Sequence, residues 1–361
     1  MRRPLRMPTL DRYVARTVVQ NFLFALLTLV AIFFVINATE ELQRVDAGSY
    51  GVRQAMWFVI LMLPNEIYAL FPASALLGNV IGLGGLAHRN ELLAMASAGV
   101  SRTRLLWSVL QFTAVLVVAG ALFSEVVAAP LAYRAHTERA VALSGERALT
   151  MTGGIWTRAG SSFVNMRTLL PSGVARDVYV YDFDAQHRLR RFTHAQSATY
   201  TDRQWILENL VDKTIGDNGL VTEQVASRPV PIELNPRQLG LMQIPADELS
   251  LSDLYRAIGA ARRQGESAEP MELAWWQRVT MPIVTVVMSF LAAALVLVSP
   301  RWTTLGRRIL VGGLLGIGFQ MFNQTFASFG LVYDLAPWLS ALLPTSLALA
   351  FGMWCLSHSP L

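Results

Sequence analysis

Long runs of apolar residues without a charged side chain constrain this chain more than any other feature of its sequence. A helix needs about 20 apolar residues to cross a lipid bilayer. Runs of about that length occur six times, at Thr17–Thr39, Ile67–Ala87, Leu105–Ser124, Val279–Pro300, Ile309–Tyr333 and Leu335–Leu361. The sequence therefore predicts a membrane protein with six transmembrane helices.

The charged residues lie mainly between the third and the fourth apolar run. The 154 residues from Glu125 to Arg278 hold 17 of the 30 Lys and Arg residues and 18 of the 25 Asp and Glu residues. This polar insert has no basic excess, which argues against nucleic-acid binding. The single cysteine, Cys355, excludes a disulfide scaffold within the chain.

The short loops predict the orientation in the membrane, because loops rich in Lys and Arg stay in the cytoplasm. Residues 1–16 carry five arginines against one aspartate, the loop 88–104 carries three arginines against one glutamate, and the loop 301–308 carries three arginines and no acid. The alternate loops are acidic or nearly uncharged. We therefore expect both termini in the cytoplasm and the polar insert on the opposite side.

The second apolar segment is too long for a straight span. Its pattern runs from Gln54 to Ala87 and is interrupted by Pro64 and Pro72, so we expect its outer part to protrude, tilt or kink at the prolines. Three glycines of this segment have the spacing of small residues at close helix contacts: Gly78, Gly82 and Gly85.

The polar insert has the pattern of an antiparallel β domain. Turn signals such as Gly153-Gly154 and Asp217-Asn-Gly219 separate short runs rich in β-forming residues. Seven such runs occur, at 155–158, 162–170, 178–183, 189–201, 204–210, 220–226 and 229–234. The spacing favours a sandwich or jelly roll. The predicted domains are thus residues 1–130 with three spans, 131–265 with a β jelly-roll-like fold, and 266–361 with three spans.

Catalytic motifs are absent from the sequence. The only lysine, Lys213, follows Val-Asp and cannot belong to a phosphate-binding loop, and no H-E-x-x-H or G-x-S-x-G motif occurs. The five histidines lack the spacing of metal ligands. We therefore expect no enzyme activity and no metal site, and any work across the membrane must draw energy from a partner or an ion gradient.

The loop 88–101 has the pattern of a short capped helix. Asn90 can cap it, Glu91 suits its first turn, Gly99 can end it and Ser101 can cap the next helix. One face would carry Leu92, Met95 and Ala96. The pattern alone leaves two interpretations open: a projection that docks into another protein, or a simple connector.

Several motifs in a fixed order resemble one membrane-protein family. They are Asp11-Arg-Tyr13, Glu40-Glu-Leu42 with Gly48-Ser-Tyr50, Arg89-x-Glu-Leu-x-x-Met-x-x-x-Gly99, and Gly330-Leu-Val-Tyr-x-Leu-x-Pro337 followed by Ala341-Leu-Leu-Pro344. Together they resemble the LptF/LptG permeases of the lipopolysaccharide exporter, over residues 10–356. Gly-Ser-Tyr and Leu-Val-Tyr favour the LptG branch of that family.

The resemblance implies the permease subunit of an ATP-driven transporter in the inner membrane of a Gram-negative bacterium, with the β domain in the periplasm. The implied partners are a homologous LptF-like permease, an LptB-like ATPase dimer that binds ATP and Mg, an LptC-like single-span bridge protein, and lipopolysaccharide itself. The helix at about 88–99 would be the coupling helix. Its implied ATPase contacts are Arg89, Glu91, Leu92 and Met95.

The resemblance also implies a basic rim that holds the lipid phosphates. Matched residue by residue, this rim comprises Arg44, His136 and Arg139, and Arg134 lies nearby as a further basic residue that would compensate. His136 stands where arginine is common, and Asn37 and Asn65 stand where lysine can occur, so the rim is thinner than usual. The alternative is ordinary interfacial arginines whose stems lie along apolar surface.

The fifth span carries an aromatic set at i, i+3 and i+7: Phe319, Phe322 and Phe326. It is either a gate for the lipid acyl chains, as the resemblance implies, or a surface for lipid or helix packing. Two alternative functions also remain open. One is an ABC permease that transmits force without moving lipid, and the other is a membrane sensor or scaffold with a ligand-binding β domain.

Overall fold

The computed structural model describes residues 9–45, 50–144, 154–159, 162–169, 173–184, 186, 188–202, 204–216, 219–230, 232, 244–264, 267–298 and 305–357. These residues form two compact units. We call the first the helical unit; it comprises the described residues within Met1–Asn37, Leu63–Pro130 and Glu269–Leu361. The second, the sheet unit, comprises those within Ala38–Met62 and Leu131–Ala268. The domain boundaries expected from the sequence remain predictions.

Ten α-helices are described. They are α1 Thr9–Leu42, α2 Val52–Ala69, α3 Phe71–His88, α4 Glu91–Ser97, α5 Arg102–Phe123, α6 Ala129–Ser144, α7 Leu251–Gln264, α8 Glu269–Val298, α9 Leu305–Val332 and α10 Pro337–Ser357. A π-helical turn, Ser124–Ala128, joins α5 to α6, and a 3₁₀ turn, Ala246–Glu248, precedes α7. The described parts of all six apolar runs are therefore mainly helical.

Four stretches of helix in the described chain are individually long and apolar enough to cross a membrane. These are α1, the continuous helix Arg102–Arg139, α8 and α10. The pair α2 and α3 qualifies as one broken span. The 28-residue helix α9 is not among these candidates, and its Gln320, Asn323 and Gln324 lower its apolar character. Five spans are thus supported by length and composition, and the sixth remains a prediction.

The expected kink in the second span is confirmed. Helices α2 and α3 meet at Leu70 with a bend of 59°. Pro72 lies in the first turn of α3, where its missing N–H has no intrahelical partner to lose. Pro64 lies inside α2.

Helices α1 and α3 approach closely at Gly78. A β-carbon at this position would lie 2.6 Å from Cα of Phe22, which is backbone and cannot move aside. At Gly82 it would lie 3.1 Å from Nδ2 of Asn21. Gly85, by contrast, faces open space. The expectation of close helix packing is therefore confirmed at Gly78 and Gly82, but not at Gly85.

The sheet unit contains six antiparallel strands: β1 Ile155–Ala159, β2 Ser162–Leu169, β3 Val174–Phe183, β4 Leu189–Thr201, β5 Gln204–Gly216 and β6 Gly219–Val230. They pair strictly in sequence order, from β1 to β6. The prediction of seven strands was wrong in one place, because β6 merges the last two runs as far as Val230. Of the rest of the seventh run, residues 231, 233 and 234 lie outside the described residues, and Ile232 is not in a strand.

The described strands form a meander and not the sandwich or jelly roll that the spacing favoured. Consecutive strands are separated by only two to five residues. Connections this short return each strand to its neighbour, whereas a jelly roll needs longer connections that cross between two sheets. One face of the meander forms a core, in which Trp205 is fully buried and Ala260 of α7 packs against the cluster. The main buried strand residues are Val164, Met166, Val178, Val180, Leu207 and Leu210.

Candidate functional site

The connection between α3 and α5 forms the short helix α4, as expected. Gly99 adopts a φ of +86° that suits glycine, and the N–H of Val100 donates to the carbonyl of Met95 at 3.0 Å, which ends the helix. Ser101 caps α5 by accepting from the N–H of Arg104 at 3.3 Å. Asn90 occupies the N-cap position of α4, as expected, but makes no capping hydrogen bond through its side chain. Its backbone is left-handed, with φ of 59°, whereas a capping residue is typically extended.

Glu91 is held by the amino-terminal end of α1. The hydroxyl of Tyr13 donates to Oε2 of Glu91 at 2.7 Å, and Nη1 of Arg89 lies 4.0 Å from Oε1. The Glu91 side chain keeps 29% of its surface exposed. Asp11, two residues before Tyr13, accepts a hydrogen bond of 2.7 Å from the hydroxyl of Ser108 on α5. The two outer residues of the Asp11-Arg-Tyr13 motif thus fix the start of α1 against α4 and α5.

The apolar residues of α4 point in two directions. Leu92 and Met95 are half-buried and pack against the core of the helical unit that contains Val14 and Leu86. Leu93 is 69% exposed. Ala96, which was expected to share the face of Leu92 and Met95, is exposed. The outward surface of α4 is therefore centred on Leu93, and the implied ATPase contacts of Leu92 and Met95 remain a prediction.

Arg44 and Arg139 converge on the carboxylate of Glu41. Nε of Arg139 lies 2.6 Å from Oε1 of Glu41, and the two side chains form an ion pair. Nη1 of Arg44 donates to Oε2 at 2.9 Å. The Glu41 side chain is only 4% exposed, that of Arg139 is 18% exposed and that of Arg44 is 56% exposed. Two of the four predicted rim residues therefore share one buried counter-charge.

Tyr50 completes this cluster. Its hydroxyl donates to Oε1 of Glu41 at 2.6 Å, and its side chain is almost fully buried. Burial, followed by the hydrogen bond to Glu41, raises the pKa of Tyr50 above the ordinary value of a tyrosine. The phenol therefore stays neutral and remains a donor at physiological pH. We call Glu41, Arg44, Tyr50 and Arg139 the Glu41 cluster.

Phe58 of α2 links the Glu41 cluster to His136. The guanidinium of Arg139 lies 4.7 Å from the centre of the Phe58 ring, and the His136 ring meets Phe58 edge-on at 5.5 Å. Nε2 of His136 lies 2.5 Å from Oε2 of Glu248, and both side chains are mostly buried. His136 thus has an acidic partner of its own.

Arg134 lies on a separate, exposed patch. Its Nε contacts Oε1 of Glu138 at 2.5 Å, and its side chain is 61% exposed. Trp57 donates through Nε1 to the other carboxylate oxygen of Glu138 at 2.9 Å. The structure thus joins Arg44 and Arg139 directly, places His136 beside them through Phe58, and gives Arg134 a different partner.

The three phenylalanines of α9 do not form one uniform surface. Phe319 is half-buried and packs against the core cluster that contains Leu76. Phe322 is 44% exposed, and its ring lies 6.0 Å from that of Phe326. Phe329 and Tyr333, further along, stack at 4.6 Å and are both exposed. The exposed aromatic surface therefore extends beyond the residues named from the sequence.

The sequence analysis missed Glu41, Tyr50 and Tyr13 as members of these sites. All three belong to motifs that carry the family resemblance, but only the fold shows that each tyrosine binds a carboxylate. Both sites work through ion pairs and hydrogen bonds. Across the described residues, no group of three or more His, Cys, Asp or Glu side chains could hold a metal ion.

Comparisons with known proteins cover nearly the whole chain. The family model for the lipopolysaccharide export system permease LptF/LptG matches residues 12–358. The lipopolysaccharide export system permease protein LptG of Haemophilus influenzae is 33% identical over 352 residues, which are 97% of this chain and 98% of that protein. The protein of the same name from Escherichia coli K12 is 28% identical over 350 residues, 96% of this chain and 97% of that protein.

Proposed function

This chain belongs to the LptF/LptG family of lipopolysaccharide export permeases, and we propose that it is the LptG-type permease subunit of an ATP-driven transporter that extracts lipopolysaccharide from the inner membrane. The observation that carries this proposal is the match of the family over residues 12–358, together with the LptG relatives that cover about the full chain. A partial match would support only a shared domain.

The proposed subunit is a multi-pass protein of the inner membrane with six spans. Both termini and α4 lie in the cytoplasm, and the β sheet lies in the periplasm. Four helical stretches and one bent pair that are apolar enough to cross a bilayer support the membrane assignment. The arginine-rich loops support the orientation.

The proposed energy source is a separate cytoplasmic ATPase dimer that binds ATP and Mg, while this chain hydrolyses nothing itself. In this proposal α4 docks on the ATPase through its outward surface, where Leu93 is most exposed and Glu91 keeps part of its carboxylate in solvent. Arg89, at 74% exposure, adds a positive charge beside them. Leu92 and Met95 would support this surface from behind. The other proposed partners are an LptF-like permease and an LptC-like bridge protein.

The proposed lipid site has a basic rim and an apolar wall. Arg44 and Arg139 would bind the phosphates, His136 and Arg134 would flank them, and the aromatic side chains of α9 would contact acyl chains. The surroundings of these arginines support different roles in phosphate binding. Arg139 is held in place by its ion pair, whereas Arg44 and Arg134 reach into solvent.

A charge-reversal experiment tests the lipid role. We expect the double variant Arg44→Glu, Arg139→Glu to load less lipopolysaccharide, by tenfold or more, because two phosphate ligands become repulsive. The measurement is lipid bound per purified complex, with the double variant Arg176→Glu, Arg190→Glu at exposed positions of β3 and β4 as a control of the same charge change. Unchanged loading would remove the rim from the proposal.

Native mass spectrometry of the protein, extracted from its own membranes in mild detergent, tests the function as a whole. A complex of this chain with a homologous permease, two ATPase-sized subunits and a lipopolysaccharide-sized adduct is the expected result. The same proteins without lipid would favour a permease that only transmits force. The chain alone, or as a homodimer without an ATPase, would contradict the proposal and favour a sensor or scaffold.

A further inference from the structure

The carboxylate of Glu41 occupies the place that an anionic ligand of the rim would take. Oε1 receives the hydroxyl of Tyr50 at 2.6 Å and lies 2.6 Å from Nε of Arg139, and Oε2 receives Nη1 of Arg44 at 2.9 Å. The side chain reaches this position inside the protein, with only 4% of its surface exposed. An internal anion is therefore already bound by the two arginines.

A phosphate group has the same recognition chemistry as this carboxylate. Both accept hydrogen bonds from guanidinium and hydroxyl donors through several oxygen atoms. The two arginines and the one glutamate leave a net charge of +1 in the cluster, so a second anion is still attracted. Arg44, at 56% exposure, offers the open side through which that anion can approach.

The burial of Arg139 explains why a counter-charge must always be present. Its side chain is 18% exposed and lies over the ring of Phe58. A buried charge without a partner is strongly unfavourable. Exchanging Glu41 for a phosphate keeps the guanidinium paired throughout, while the displaced Glu41 carboxylate keeps the hydroxyl of Tyr50 as its donor.

We propose that Glu41 is an internal competitor of the lipid phosphate: it holds Arg44 and Arg139 in the unloaded state and must be displaced before they bind lipopolysaccharide. The inference rests on the proposed function, because it takes these arginines as phosphate ligands. Glu41 is thus a positioning residue that acts through the arginines. It sets the affinity for phosphorylated lipid low enough for onward transfer.

The test measures lipid affinity of the full chain, co-purified with its permease and ATPase partners in lipid nanodiscs. The probes are lipopolysaccharide and the same lipopolysaccharide after enzymatic removal of its phosphates. Glu41→Gln keeps an acceptor oxygen for Tyr50 but removes the competing charge. We expect it to bind phosphorylated lipopolysaccharide roughly tenfold more tightly than the wild type, with no gain for the dephosphorylated lipid.

Three further variants separate competition from a merely structural role. Glu208→Gln changes the same net charge on the exposed side of β5 and should bind like the wild type. Adding Arg139→Gln to Glu41→Gln should abolish the gain, because the freed guanidinium is what binds the phosphate. Glu41→Asp keeps the charge on a side chain one methylene shorter and should give a smaller gain of about threefold, from the lengthened contacts to both arginines.

The outcomes distinguish this inference from the proposed function. Wild type that binds lipopolysaccharide, with Glu41→Gln binding it equally or more weakly, overturns the inference alone. If Glu41→Gln does not assemble, the lipid affinity of Glu41→Asp is compared with that of the wild type, and equal or weaker binding again overturns the inference alone. Wild type and variants that all fail to bind lipopolysaccharide overturn the proposed lipid role as well.

Discussion

Two carboxylates, Glu41 and Glu91, each accept a tyrosine hydroxyl but differ in their charged partners and their burial. The hydroxyls are those of Tyr50 at 2.6 Å and Tyr13 at 2.7 Å. Glu41 also contacts two arginines at 2.6 and 2.9 Å, whereas the arginine nearest to Glu91 lies 4.0 Å away. The side chain of Glu41 is 4% exposed, whereas that of Glu91 is 29% exposed. The comparison shows that a buried carboxylate with two close arginines is committed to the interior, whereas a partly exposed carboxylate with one distant arginine stays open to another molecule.

The buried member of the pair should dominate stability. Glu41→Ala leaves the guanidinium of Arg139 without its counter-charge, so we expect the free energy of unfolding to fall by about 3–5 kcal/mol. Denaturant unfolding of the purified chain in detergent micelles measures this. A loss below about 1 kcal/mol would mean that Arg139 finds solvent or another anion, and the contrast between the two sites would disappear.

The tyrosine of the buried site, Tyr50, should contribute more to stability than Tyr13 of the exposed site. Tyr50→Phe removes a donor from a buried carboxylate, and we expect a loss of about 2 kcal/mol in the same unfolding assay. Because the pKa of Tyr50 is raised in the folded state, its contribution is complete below the ordinary tyrosine pKa of about 10 and is lost as pH rises through the folded value. This assignment would be contradicted if the wild type lost more stability between pH 7 and 9 than Tyr50→Phe does.

The exposed carboxylate should matter for coupling instead. We expect Glu91→Ala to lower lipopolysaccharide export by tenfold or more, because the proposed docking surface of α4 loses its carboxylate, while stability changes by less than about 1 kcal/mol. Export is followed by lipid transfer in reconstituted vesicles, and assembly by co-purification of the ATPase. Normal assembly and normal export in this variant would show that Glu91 has no coupling role.

Tyr13→Phe should give the smallest effect of the series. It leaves the Glu91 charge in place but removes the hydroxyl that orients the carboxylate, so we expect ATP-driven export to fall about two- to threefold. The unfolding midpoint should stay unchanged. Tyr255→Phe, an exposed tyrosine of α7, is a suitable control. An effect as large as that of Glu91→Ala would make Tyr13 itself part of the docking surface.

Much of the fold could be predicted because it follows from short-range patterns. The apolar runs predicted helices, and the two prolines of the second run predicted a bend that is observed as 59° at Leu70. The turn signals predicted where most of the β strands begin and end. The strand count and order were harder, because nothing local tells whether 220–226 and 229–234 are one strand or two, or which strands pair.

The candidate sites could be predicted only in part. The family resemblance implied roles for Arg44, Arg139 and Glu91, but their partners depend on contacts far apart in sequence, such as Tyr13 with Glu91. The spacing of Leu92 and Met95 correctly placed them on one face of α4. It could not tell that this face packs against the protein itself and leaves Leu93 outward.

The contact at Gly78 has a consequence for the evolution of this chain. Any side chain there would collide with the backbone of Phe22, whereas Gly85, seven residues on in the same helix, faces open space. Amino-acid substitutions should therefore be rarely accepted at position 78 and nearly unrestricted at position 85. Among descendants of this gene, a substitution at 78 should appear only together with a compensating shift of α1, while alanine or serine at 85 should arise without any companion change.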